Sequence, residues 1–96
     1  MKVYILTHTW VLDRETRGTY LVGAFTSEKK AKIAIGAWIA RYNDNPHNKK
    51  RLVLTFDKNG APVVEYAAGQ KISYSDTDYY FGIDEVVIDE EKMISV

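Results

Sequence analysis

Hydrophobic and polar residues alternate near the start of the chain, and this period of two predicts two β-strands. In residues 2–12, apolar side chains occupy both faces, with Val3, Ile5 and Val11 on one and Tyr4, Leu6 and Trp10 on the other. A strand that is apolar on both faces is typical of the centre of a sheet. A polar connector ending at Gly18 leads to a second strand at residues 19–25, in which Gly23 predicts a bulge or a close approach by a helix.

The period then changes to three and four residues, which predicts one amphipathic helix. Thr26 or Ser27 supplies a hydroxyl for the N-cap, and Glu28 follows in the first turn, where a negative charge is favourable. Pro46 ends the helix. The apolar stripe comprises Ala31, Ala34, Ile35, Trp38, Ile39 and Tyr42.

The second half of the chain predicts a hairpin and a final strand. Residues 51–56 and 62–67 flank a turn at 57–60, where Asn59-Gly60 favours positive φ. Residues 71–74 are consistent with a short strand, and residues 79–88 form the last one.

These elements predict an α+β fold, with a mainly antiparallel sheet of four to five strands and one helix packed on one face. The chain is expected to be a single domain over residues 1–96, with a β-β-α-β core and an inserted hairpin at about 49–67. The first strand is expected to be central, paired with the second and the last. The helix should pack on Val3, Ile5, Leu21 and Ile83 or on their opposite-face neighbours.

Composition narrows the function classes. The 96 residues include no cysteine, which excludes disulfides, thiolate catalysis and cysteine-based zinc sites. The apolar run at the N-terminus is too short for a signal peptide, and no run has the length of a membrane span. We therefore expect a cytoplasmic protein without membrane contact.

Charge is unevenly distributed although the net charge is zero. Residues 28–51 carry seven basic and two acidic side chains, a net +5, whereas residues 76–96 carry one basic and seven acidic side chains, a net −6. The two segments either attract each other within the fold, or the acidic end is a docking surface for a basic partner. Lys49-Lys50-Arg51 is a weak signal for nucleic acid, because an acidic third of the chain opposes binding to a polyanion.

No catalytic or cofactor motif is assembled. His8 lies in an apolar strand, as structural histidines do, and His47 lies in a polar loop. Asp76 and Asp78, with Asp84 or Glu85, would offer oxygen ligands to a divalent cation, but carboxylates in a polar loop are more often solvated. The sequence therefore predicts neither an enzyme nor a cofactor.

Aromatic residues cluster with acidic ones near the C-terminus, a combination common in protein–protein contacts. Half of the cluster Tyr74, Tyr79, Tyr80 and Phe81 must face the core if the last strand is buried on one side. The candidate partner-binding residues are Tyr79, Tyr80, Asp84, Glu85, Asp89 and Glu90.

Three short segments resemble a family of short, uncharacterised bacterial and phage domains of unknown function. They are the Val-Tyr-Ile-Leu-Thr-His opening at residues 3–8, the helix entry at residues 22–28 and the Phe-Gly-Ile-Asp-Glu strand at residues 81–85. The resemblance covers roughly the first 42 and the last 16 residues, so that the hairpin region looks like an insertion. It implies a β-β-α-β core of phage or bacterial origin and carries over no catalytic residue.

The sequence thus predicts a non-enzymatic protein-binding module. The first alternative is a phage-encoded inhibitor of a host nuclease or defence protein, acting through its acidic C-terminal surface. The second is a small-ligand or metal-dependent enzyme that uses His8 with Asp84, which requires both side chains to share an open pocket. The hairpin edge also allows a homodimer, although Lys49, Lys50 and Lys58 would block that edge.

Overall fold

The computed structural model describes residues 1–13, 15–73 and 76–88. Within these ranges the chain forms strands and one helix, in the order β1 (Lys2–Val11), β2 (Arg17–Phe25), α1 (Glu28–Asp44), β3 (Leu52–Phe56), β4 (Pro62–Tyr66) and β5 (Asp78–Val87). The predicted α+β class is confirmed, as is each predicted element except the short one near residue 72, since residues 71–73 are not in a strand. Tyr74, Asp89 and Glu90 lie outside the described residues.

The five strands divide into two antiparallel sheets. β1 is the central strand of a three-stranded sheet with the order β2-β1-β5, as predicted, while β3 and β4 form a separate hairpin. The register of β1 on β5 is regular over ten pairs, from Lys2 opposite Val87 to Val11 opposite Asp78. The fold is therefore built on a short sheet with β1 at its centre and a hairpin beside it.

A β-bulge interrupts the pairing of β1 with β2. Leu6 pairs with Gly23 and Thr7 with Leu21, so Val22 is the extra residue on β2. An extra residue reverses which face the following side chains occupy. The bulge that Gly23 predicted thus decides the orientation of half of β2.

Helix α1 covers one face of this sheet, which we call the inner face. Ser27 is the N-cap, and its hydroxyl accepts a hydrogen bond from the Lys30 N–H at 3.1 Å. Ala31, Ile35 and Ile39 are buried, and Ile35 and Ile39 form the core cluster with Leu6, Phe81 and the hairpin residue Leu52. The helix therefore packs on the opposite-face neighbours of Val3, Ile5 and Leu21.

The hairpin lies beside the helix and completes the core. Its turn is closed by Asp57, whose carboxylate accepts hydrogen bonds from the Asn59 and Ala61 N–H groups. Gly60 has φ +81°, and so supplies the left-handed residue of the turn. Half-buried Leu54, Val64 and Tyr66 contact the core cluster from the hairpin.

Candidate functional site

The face of the three-stranded sheet that points away from α1, here called the outer face, carries apolar, hydroxyl and charged side chains. No helix or strand in the described ranges packs on it, since α1 and the hairpin both contact the inner-face cluster. Its largest exposed side chains are Leu21, Tyr80 and Val86, which are 63%, 55% and 41% exposed. Its β1 positions, all half-buried, are Val3, Ile5, Thr7, Thr9 and Val11.

The bulge at Val22 is the reason that Leu21 lies on this face. Gly23 and Phe25 pair with the inner-face residues Leu6 and Tyr4, so an uninterrupted strand would also turn Leu21 inward. The extra residue turns Tyr20 inward instead, where its ring meets His8 at a centroid distance of 5.1 Å. A leucine is therefore exposed on the outer face.

The structure separates the predicted partner-binding residues. Tyr80 and Asp84 pair with Thr9 and Ile5, so both lie exposed on the outer face. Tyr79 points inward, where its ring contacts Trp38 and Tyr42 at 5.5 and 5.3 Å.

The remaining predicted residues are Glu85, Asp89 and Glu90. Glu85 lies on the face opposite to Asp84 and forms a 3.1 Å ion pair with Lys2. Asp89 and Glu90 belong to the part of the chain that is not described. Tyr80 and Asp84 are therefore the two predicted residues that the structure places on one exposed surface.

His8 lies in an aromatic cluster on the inner face. It is 1% exposed, and the rings of Trp38, Phe81, Tyr20 and Tyr79 surround it at centroid distances of 4.6 to 5.7 Å. Burial lowers the pKa of the imidazole from its usual 6.5, and a backbone hydrogen bond with Tyr80 acts in the opposite direction. Its Nδ1 is buried and has no hydrogen-bond partner among the described residues. His8 is thus a neutral core residue at physiological pH.

His8 and Asp84 do not form a site together, because His8 points inward and Asp84 points outward. The shared open pocket that a His8–Asp84 enzyme would require is therefore absent. Within the described ranges, no three His, Cys, Asp or Glu side chains are arranged to hold a metal ion. Asp76, which the sequence analysis weighed as an oxygen ligand and judged more typical of a solvated carboxylate, is paired with the Lys50 ammonium.

Two surface pockets of about 360 and 350 Å³ lie where the hairpin approaches the start of β5, and they share Tyr66 and Tyr79. The Tyr66 hydroxyl donates to the Thr77 carbonyl, and burial together with nearby acidic groups raises its pKa to about 12. Burial also raises the pKa of Tyr42, with a further contribution from a hydrogen bond to Tyr79. These tyrosines are therefore neutral hydrogen-bonding groups, unsuited to act as bases.

The ion pair between Lys50 and Asp76 closes one side of the second pocket. This ammonium and the Ser73 N–H lower the pKa of the Asp76 carboxyl. The pair also joins the basic middle of the chain to its acidic end, which agrees with the interpretation that these segments attract each other within the fold.

Sequence reasoning did not identify the outer face as a surface. The sequence did contain a signal for an exposed sheet face, because β1 is apolar on both faces and one predicted helix can cover only one of them. Alternation alone cannot say which face the helix takes, and the bulge had to be located before Leu21 could be placed.

Comparison with known proteins identifies a family but no function. The chain has no match among curated proteins or among solved structures. One family model matches residues 1–60, which contain β1, β2, α1, β3 and the hairpin turn. In the part of the chain that the structure describes, no helix is long and apolar enough to cross a membrane, and α1 has 17 residues. The chain belongs to the family described as a domain of unknown function (DUF7336).

Proposed function

We propose that this protein is a small non-enzymatic protein-binding module of bacterial or phage origin, and that it binds through the outer face of its three-stranded sheet. The observation that supports this proposal is the exposure of Leu21, Tyr80 and Val86 on one face that no described helix or strand covers. Large apolar side chains that share one face of a sheet and stay in contact with water can be buried together by a protein partner.

Burial of these side chains provides the driving force. Full burial of an aliphatic or aromatic side chain stabilises a complex by about 1.5–3 kcal/mol, and these three are about half-exposed in the free protein. Tyr80 adds a hydroxyl and a large ring, features typical of interface hot spots. Threonines at positions 7, 9 and 19 add hydroxyls between the apolar side chains, and Thr9 already shares a hydrogen bond with Thr19 at 2.8 Å.

The positions of the acidic residues support a purely electrostatic contact less well than an apolar contact through the outer face. Asp76 and Glu85 are each paired with a lysine, and Asp84 lies on the outer face beside Ile5. An inhibitor of a nucleic-acid-binding protein needs a contiguous acidic surface, and the described residues divide their carboxylates between different sites. An apolar contact with a polar border therefore accounts better for this surface.

The test is affinity capture of the tagged protein from a lysate of the bacterial host, with the recovered proteins identified and quantified by mass spectrometry. Leu21→Lys removes the most exposed apolar side chain of the outer face. Ile33→Lys is the matched control, because Ile33 is 62% exposed on α1, away from this face.

We expect a stoichiometric partner, a foreign protein or untagged copies of the chain, that Leu21→Lys loses and Ile33→Lys keeps. Equal recovery with both variants would place the contact elsewhere. Recovery of no partner by the wild-type protein, together with a chain that stays monomeric at high concentration, would contradict the proposal.

A further inference from the structure

We infer that the partner of the outer face is a second copy of the same chain, packed face to face about a two-fold axis that runs roughly along β1. The inference rests on the proposed function, because it names the partner of the same surface. This dimer differs from one that pairs two hairpin edges. It packs the side chains of two sheet faces together and forms no backbone hydrogen bonds between strand edges.

The arrangement follows from the order of the strands. A two-fold axis that runs roughly along the central strand places β1 over β1 of the second copy, and it places β2 over β5. We call the outer-face side chains that are paired side by side across β2, β1 and β5 a row. Each row therefore faces the same row of the second copy, with its β2 and β5 ends exchanged. The face is self-complementary if a large residue on β2 shares its row with a small residue on β5, or the reverse.

The rows at Thr7 and Thr9 meet this condition, whereas the row at Ile5 places the Asp84 carboxylate over Ala24 of the other copy, which weakens the contact. Leu21, Thr7 and Gly82 form one row, so the most exposed leucine of one copy lies over the glycine of the other. Gly82 is kept open by its surroundings, because a Cβ at this position would lie 3.1 Å from the Thr7 hydroxyl. In the next row the small Thr19 of one copy lies over the ring of Tyr80 of the other, with Thr9 between them.

The end row adds charge complementarity. Val11 pairs with Arg17 on β2 and with Asp78 on β5, so each row carries one positive and one negative end. Reversal of the row brings Arg17 of each copy opposite Asp78 of the other, which gives two symmetric ion pairs. Aligned sheets cross at about 30°, and the long Arg17 side chain can span the resulting offset at the end of the sheet.

The size of the face predicts a weak dimer. Three strands about 4.8 Å apart and nine or ten residues long cover roughly 15 by 33 Å, about 500 Å² for each copy. Stable complexes bury about 800 Å² on each partner, so this contact belongs to the transient class. The net charge of zero removes long-range repulsion between copies.

The experiment is a sedimentation-equilibrium series on the full chain, extended to about 500 µM because transient contacts of this size are weak. Arg17→Asp places two carboxylates opposite each other in the dimer, and Asp78→Arg places two guanidinium groups opposite each other. We expect each variant alone to dimerise at least about tenfold more weakly than the wild-type protein, since like charges in an interface are costly.

An equimolar mixture of the two variants should dimerise with an affinity near that of the wild-type protein, because both ion pairs re-form in the heterodimer. Recovery in the mixture also shows that each variant is folded. It further excludes pairing of β2 edges, in which Asp78 takes no part.

A wild-type chain that stays monomeric throughout the series would overturn the inference. So would a dimer that Leu21→Lys leaves intact, or one that neither charge variant weakens. A monomer that still captures a foreign protein through Leu21 would overturn the second copy as partner while leaving the proposed function standing.

Discussion

Asn43, in the last turn of α1, holds the first residue of β3, Leu52, by two hydrogen bonds. Its amide Nδ2 donates to the Leu52 carbonyl at 2.9 Å, and its Oδ1 accepts from the Leu52 N–H at 2.8 Å. Leu52 is 3% exposed, so few water molecules could replace these bonds. A single side chain thus fixes where the hairpin begins relative to the helix.

We predict that Asn43→Ala destabilises the protein by about 2 kcal/mol, because it leaves a donor and an acceptor of a buried residue unpaired. Chemical denaturation followed by circular dichroism measures the change. Asn59→Ala, in the exposed hairpin turn, is the control and should change the free energy of unfolding by less than about 0.5 kcal/mol. Equal changes in the free energy of unfolding for the two variants would show that the hydrogen bonds between Asn43 and Leu52 do not contribute to stability.

The local elements could be predicted from the sequence because their signals are local. The helix, its Ser27 cap and the hairpin around Gly60 follow from residue spacing, hydroxyl capping and turn chemistry, each of which acts within a few residues. The central position of β1 followed from its two apolar faces.

The arrangement between elements could not be predicted in the same way. The separation of the hairpin from the main sheet depends on side-chain contacts such as that of Asn43 with Leu52, which lie nine residues apart and have no sequence signature. The position of Leu21 depends on a one-residue bulge, and a shift of one residue exchanges the two faces of a strand. The candidate surface was therefore predicted in part, through Tyr80 and Asp84.

We predict that His8 makes the stability of the protein depend on pH. Burial lowers its pKa in the folded state below its usual 6.5, so the unfolded chain binds more protons as the pH falls through 6.5. The free energy of unfolding should therefore be greatest above pH 6.5 and decrease toward the lowered pKa. Denaturation midpoints between about pH 5 and 8 measure this dependence.

His8→Gln should flatten the dependence on pH in this window, whatever its effect on overall stability, because glutamine does not titrate. His47→Gln is the control, since His47 is exposed in the loop after α1. The same slope in His8→Gln as in the wild-type protein would assign the dependence to other groups.

We predict that Gly18→Ala displaces the ring of Trp10. The two residues are paired across β1 and β2, and a Cβ at Gly18 would lie 2.8 Å from the indole ring. Because non-bonded carbon atoms do not approach each other that closely, the indole ring must move. The indole N–H signals in a ¹H–¹⁵N NMR spectrum report the change, which should shift the Trp10 signal and leave that of Trp38 in place.

We predict opposite effects of alanine at two other glycines. Gly36 is exposed in the middle of α1, and a Cβ there would meet no atom within 4 Å, so Gly36→Ala should stabilise the protein by about 0.5–1 kcal/mol through helix propensity. Gly60 has φ +81°, so Gly60→Ala should destabilise it by about 1 kcal/mol or more. Denaturation curves of both variants at one low protein concentration measure the two changes without interference from self-association. Because the substitution is the same at both positions, a neutral or stabilising Gly60→Ala would mean that the backbone conformation at Gly60 does not control the stability of the hairpin, and a destabilising Gly36→Ala would contradict the prediction for the helix.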